Sequence, residues 1–161
     1  MKFETISKPV AKATKTKTII YADGVEIGSR TSAHTYKFAL VVTGNQEHAI
    51  RQARAYVDYN TAKAEQYEGI VRRDEAAIQS HIKNDRVPRH NIEKCLEDGS
   101  YIRWGISYRS RALEWKDRLE VLLSGPQPEF SLPLVASWHS RRDLVPDAKP
   151  WQKFVAVVEI T

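Results

Sequence analysis

Apolar and polar positions along this chain follow two different periods, and the change between them divides it into three parts. Near the N-terminus, Thr18-Ile19-Ile20-Tyr21 and Val25-Glu26-Ile27-Gly28 flank Ala22-Asp23-Gly24. Asp-Gly between two β-rich runs is a strong hairpin signal, because both positions tolerate positive φ. Ser29-Arg30-Thr31-Ser32 reads as a polar turn, and Tyr36-Lys37-Phe38-Ala39-Leu40-Val41-Val42 as a third strand. At the other end, Leu134 to His139 and Phe154 to Ile160 carry the same β-branched and aromatic content, and the segment 141–150 between them, with Asp and two prolines, reads as a connection. Two-sided apolar character in the third and fifth of these five strands predicts that both lie centrally in a sheet.

The middle of the chain switches to helical spacing. Stepping by three and four from Ile50 gives Ala53, Val57, Asn60, Ala64, Tyr67, Val71, Asp74, Ile78 and then His81 or Ile82. Glu47, Arg51, Arg54, Asp58, Glu65 and Arg72 fall opposite, Asn45 suits an N-cap, and Pro88 ends the pattern by Val87. A helix over 46–84 would be about 58 Å long at 1.5 Å per residue and would need a partner. That partner is expected next in sequence. Asn91 can cap a helix beginning at Ile92, and Tyr101, Trp104, Tyr108, Ala112, Trp115, Leu119 and Leu122 step by three and four until Gly125-Pro126. The two stretches close as an antiparallel hairpin bending near 86–90. Asp98-Gly99-Ser100 is the weak point, where a break would give three helices, and residues 101–108 also alternate as a strand would. Asn60 and Asp74 sit on the stripe where apolar groups pack best, as residues that fix register or oligomeric state do.

These patterns predict an α+β protein: a small, mostly antiparallel five-stranded sheet with a long antiparallel helical hairpin inserted between strands three and four. One domain is expected over 1–161, with a basic N-terminal arm and three strands in 1–44, the hairpin in 45–124 and two strands in 125–161. At 161 residues, with 42% hydrophobic and 28% charged side chains, the chain is too apolar to be disordered over most of its length. No apolar run approaches the ~20 residues of a membrane span, and the first residues have no apolar signal core, so a cytoplasmic protein is expected. Cys95 is the one cysteine, which excludes an internal disulfide and reads as a small buried hydrophobe beside Ile92 and Leu96.

The formal charge of +5 is unevenly spread. Residues 1–45 hold seven Lys/Arg against three acids, 46–100 hold nine against ten, and 101–161 hold nine against seven. Basicity therefore sits on the strand-rich ends. Lys12, Lys15, Lys17, Arg30, Lys37, Arg141, Arg142, Lys149 and Lys153 are the candidate contacts to an acidic partner, with Trp138 and His139 beside them. The segment 8–17 reads either as a flexible basic arm or as a ragged terminus kept soluble by its lysines. Arg86, Arg89 and His90 would mark the tip of the hairpin.

Chemistry-bearing motifs are absent: there is no GxxxxGK[ST], GxGxxG, HExxH or EF-hand loop. The five histidines include no i,i+4 pair, so neither a metal nor a cofactor is expected. His34-Thr35 and His139-Ser140 echo the two-histidine phosphoesterases, where the hydroxyl lies two residues beyond each histidine and so on the same strand face. Here the hydroxyl follows immediately and faces away. A phosphate-ester enzyme is therefore the third choice. The densest functional string is Trp138-His139-Ser140-Arg141-Arg142-Asp143, suited to phosphate or carboxylate recognition, or else a core Trp with solvated arginines, one of them paired to Asp143. Gly28-Ser29-Arg30-Thr31-Ser32 with the strand from Tyr36, and Ser137-Trp138-His139-Ser140-Arg141, resemble small uncharacterised proteins of tailed bacteriophages. That resemblance implies an accessory or host-modulating role.

Two functions are thus expected ahead of catalysis. The first is a non-catalytic binding protein that engages a protein partner through its helical arm and a basic sheet face, with a homodimer through the helical stripe as a further possibility. The second is an accessory factor contacting DNA or RNA phosphates. No membrane partner is expected.

Overall fold

Asp23 and Gly24 take φ of 47° and 82°, and the turn they make joins β2 (Thr16–Ala22) to β3 (Val25–Ser32). Gly24 accepts that conformation without a Cβ penalty, as the Asp-Gly pattern predicts. β3 runs on through Ser29–Ser32, where a polar turn is expected, because Thr31 and Ser32 pair with Lys17 and Thr16. The computed structural model describes residues 1–11 and 14–161. They form two compact units, residues 1–48 with 126–161, and residues 49–125.

The first unit holds six strands in two three-stranded antiparallel sheets, a correction to the single five-stranded sheet. One sheet has the order β1-β2-β3, with β1 spanning Phe3–Pro9. β1 carries no period-2 pattern, since Phe3 and Ile6, its two large apolar residues, fall on opposite faces. It is an edge strand held by its ladder to β2, and Pro9 sits at its end, where a missing N–H costs nothing. The other sheet has the order β5-β4-β6, formed by Leu134–His139, Phe38–Gly44 and Gln152–Glu159. β4 is central, and Ala39 to Val42 are buried on both faces, which explains the unbroken apolar run. β6, expected to be central, lies at an edge and buries only Val158 fully. The sheets share one core in which Ile20 of the first packs with Ala39, Val41 and Val158 of the second, with Val135 and Trp138 against them.

After β4 the chain turns helical at Asn45, whose side chain accepts from the His48 N–H at 3.2 Å. α1 spans Gln46–Val71, about 39 Å rather than the 58 Å expected for an uninterrupted helix. It stops because Arg73 enters the left-handed region at φ 58°. The Asp74 N–H bonds to the Gly69 carbonyl at 2.9 Å and the Arg73 N–H to the Ile70 carbonyl at 2.9 Å, a Schellman closure formed without the usual glycine. Asp74, expected on the buried stripe, is instead the exposed N-cap of α2 (Glu75–Asp85), accepting from the Ala76 N–H at 3.0 Å.

Two helices are therefore four. α2 ends at left-handed Arg86, α3 spans Arg89–Glu97, and α4 spans Ser100–Leu123 after Gly99, at φ 72°. The break at Gly99 occurs, and residues 101–108 are helical. α3 begins before Asn91, so Asn91 lies within its first turn and is not its cap. Tyr56 stacks on Trp115 and Tyr67 on Tyr101, so within the helical unit α1 and α4 run side by side in opposite directions. The core of this unit is Ile70, Ile78, Ile92 and Tyr101, packed with Ala77, Ile82, Val87, half-buried Cys95 and Leu96. Gly69 is required here, because a Cβ on it would lie 2.8 Å from that of Ala77. No helix among the described residues is long and apolar enough to cross a membrane.

Candidate functional site

The basic residues singled out by the sequence do not share one face. Lys17 stands directly opposite Lys8 across β1 and β2, whereas Arg30 is opposite Thr18 and so lies on the other side of that sheet. Arg30 places its guanidinium 4.6 Å over the Tyr36 ring, and Tyr36 in turn meets half-buried Trp138. Lys15 and Lys37 are exposed, and Lys12 lies outside the described residues. Arg141 is engaged by Asp143 through contacts of 2.6 and 3.0 Å, and Lys153 lies 3.9 Å from Glu47. Arg142 and Lys149 remain exposed. His139 Nε2 bonds the Ser137 hydroxyl at 2.8 Å, a residue pair on one strand face. At the expected helical tip, Arg86 caps α2, Arg89 forms a two-pronged pair with Glu75 at 3.0 and 2.9 Å, and His90 is exposed.

The densest chemistry lies elsewhere, inside the helical unit. Helical spacing puts His81 and Asp85 on one face of α2, and α1 and α4 bring Lys63, Gln66 and Tyr101 to them. His81 Nδ1 is 2.7 Å from Asp85 Oδ2, and its Nε2 is 3.0 Å from the Tyr101 hydroxyl. An ionised carboxylate only accepts, so Nδ1 carries the hydrogen, and in the neutral ring Nε2 accepts from Tyr101. Gln66 donates to Asp85 at 2.9 Å while its carbonyl oxygen accepts from Lys63 at 3.2 Å, and Lys63 also donates to Asp85 at 3.1 Å.

Electrostatics follow from these contacts. Burial works to raise the Asp85 carboxyl, but hydrogen bonds from Gln66, His81 and Lys63, with the Lys63 charge, hold it at about 2. Burial opposes the charge on Lys63, and the Asp85 carboxylate outweighs it and leaves the ammonium above its ordinary value. Tyr101, almost fully enclosed, is pushed up to about 12 by burial, with smaller contributions from Cys95, Tyr67 and Asp85. Above this network opens a cleft of about 560 Å³. Its walls include Tyr59, Tyr67, Trp104 and Tyr108, with Tyr67 within 5.4–5.7 Å of the Tyr101, Trp104 and Tyr108 rings. Asn91 and Lys94 of α3 form its polar rim.

A second concavity lies on the other flank of α4. Val71 of α1 and Ile102, Ile106 and Leu113 of α4 line a groove of about 510 Å³. These four apolar side chains are 37 to 67% exposed. Arg109 and Glu68 close one side with a two-pronged ion pair whose shortest contact is 2.8 Å. Val71, expected on the buried stripe, faces outward here, and Ile70 takes the core position.

Both features left a trace in the sequence outside its motifs. A histidine and an aspartate four residues apart were present, but the tyrosine that completes the network is twenty residues on. Ile102, Trp104, Ile106 and Tyr108 were visible as alternating residues that a strand would place on one face, and only the helical conformation of 101–108 sends Ile102 and Ile106 to a different flank from Trp104 and Tyr108. No family model, curated protein or solved structure matches this chain. Fold and site together describe an α+β protein in which a four-helix unit carries the concave surfaces.

Proposed function

We propose that this is a non-catalytic binding protein whose helical unit docks on a protein partner, in keeping with the phage-modulator role that the Gly28–Ser32 and Ser137–Arg141 strings imply. The observation that carries this reading is the groove: Val71, Ile102, Ile106 and Leu113 leave apolar surface uncovered at helical spacing. Such a row is how a groove receives the apolar face of a single amphipathic helix. Four side chains fall well short of the ~800 Å² per partner in a standard stable interface, so one helix of another protein suits the groove better than a second copy of this chain. Arg72 at its rim favours an acidic residue flanking that helix, the Arg109 charge being met by Glu68. The Asp85–His81–Tyr101 chain supports a binding role over a catalytic one, since His81 and Tyr101 are only 4% and 1% exposed.

Affinity purification of wild type, Ile106→Asp and Leu113→Asp from host extract, with and without nuclease, tests the proposal. A partner retained after nuclease, lost in both variants and recovered with purified components supports it. Retention equal in all three proteins overturns it. A second reading rests on Lys8 and Lys17, like charges placed directly opposite each other, an arrangement that a bound anion relieves. Nuclease-sensitive recovery abolished by Lys8→Ala with Lys17→Ala would move nucleic-acid backbone binding to first place.

A further inference from the structure

The aromatic cleft is independent of the groove. Trp104 and Tyr108 line the cleft, whereas Ile102 and Ile106 line the groove, and residues two apart on a helix point to opposite sides. Its volume of about 560 Å³ is that of a small-molecule site. The base is rigid, because the Asp85–His81–Tyr101 chain ties α2 to α4 and Lys63 and Gln66 tie α1 to the same carboxylate. A ligand here meets ring faces and edges on the α1 and α4 side. Trp104 is 44% exposed and Tyr59 53%, so both offer surface on which a flat ring can lie.

The polar groups define the other half of the ligand. Asp85 is fully committed to Gln66, His81 and Lys63, and the Asp98 carboxylate accepts from the Ser100 N–H at 2.8 Å. Among the described residues, Asn91 and Lys94 make no side-chain hydrogen bond, and the Lys94 charge acts on Asp98 one turn along α3. Three residues apart on α3, they share one face and both present donors to the cleft. Two donors, one of them cationic, facing an aromatic wall match a flat ring that bears an anionic group. A cationic ligand would meet the Lys63 and Lys94 charges, with the exposed Asp98 carboxylate, already drawn on by Ser100 and Lys94, as its acidic contact.

We propose that this cleft binds a small aromatic acid, its ring against Trp104 and Tyr59 and its carboxylate on Lys94 and Asn91. Indole-3-acetate and its neutral amide, titrated by calorimetry and by saturation-transfer NMR, are suitable probes. We expect the acid to bind with a Kd of about 1 mM or tighter and the amide to bind roughly tenfold more weakly, the loss of one charge-assisted contact. Lys94→Ala should weaken the acid by a similar factor and leave the amide unchanged, and Trp104→Ala should weaken both. Ile106→Asp, in the groove, should leave acid binding intact, so failure of the docking reading and failure of this one are told apart. Acid and amide bound equally, or acid bound undiminished by Lys94→Ala, would overturn the assignment, as would no binding of the acid at ~5 mM to protein with native helical content.

Discussion

The Asp85 carboxylate lies 2.7 Å from His81 Nδ1, one turn away on α2, and the same ring reaches Tyr101 on α4 through its other nitrogen. A buried polar side chain is thus fully satisfied, which is why it is tolerated at 4% exposure in an otherwise apolar core. Each group is now worth more for being part of a chain, and removing any one strands the others.

Stability of the helical unit should fall in acid in a way that depends on Asp85. Its folded carboxyl titrates near 2 against an ordinary 3.8, so its contribution is complete above about pH 4 and is lost as pH falls toward 2. The side chain is 30% exposed, so screening trims the gain, and we expect about 1 kcal/mol. Urea titrations followed by far-UV circular dichroism at pH 6 and pH 2.5 should show a smaller loss for Asp85→Asn than for wild type. Parallel losses would place the acid sensitivity elsewhere.

Tyr101 should be the last of the seven tyrosines to ionise. Its phenol is raised from 10.0 to about 12, so the stabilisation it gives is intact below pH 10 and disappears as pH rises through 12. In an alkaline ultraviolet titration, Tyr101→Phe should remove the highest-pH step. That step persisting would assign it to another tyrosine, of which Tyr67, also raised by burial, is the first candidate.

The two faces of the helical unit should respond differently to truncation. Ile92 is fully buried, and Ile92→Ala should cost about 2–4 kcal/mol. Ile106 is 67% exposed, and Ile106→Ala should stay within about 0.5 kcal/mol. Equal shifts in the urea midpoint would mean the groove is covered in the folded protein.

Arg73 holds a left-handed conformation that glycine adopts at less cost. Arg73→Gly should stabilise by about 0.5 kcal/mol despite losing an exposed ion pair with Glu93. Asp74→Ala removes the α2 cap and should destabilise by about 1 kcal/mol. A loss in both variants would show that the interhelical turn depends on the arginine side chain itself.

What was legible in the sequence is what local rules govern. Asp23-Gly24 specified its hairpin, Asn45 and Gly125 bracketed the helical region, and the unbroken apolar run of Phe38 to Val42 marked a strand buried on both faces. β1 was not legible, because an edge strand with one large apolar residue per face is held by its partner's ladder and not by a pattern of its own. The break at Arg73 was hidden for a related reason: a Schellman closure is announced by glycine, and here a long polar side chain occupies the left-handed position.

The candidate site was less legible than the fold. Charge counting selected Lys17, Arg30 and Arg141, but a basic surface needs a shared face, and pleat alternation and local pairing disperse them. By itself the sequence determined the alternation of strand, helix and strand, the place of the Asp-Gly turn and the amphipathic character of α1 and α4, all consequences of local turn chemistry and side-chain period. Tertiary structure alone decided which of those side chains meet. His81 meets Tyr101, and Lys94 and Trp104 come to line one cleft, through packing of separate helices whose contacts no spacing along one chain encodes.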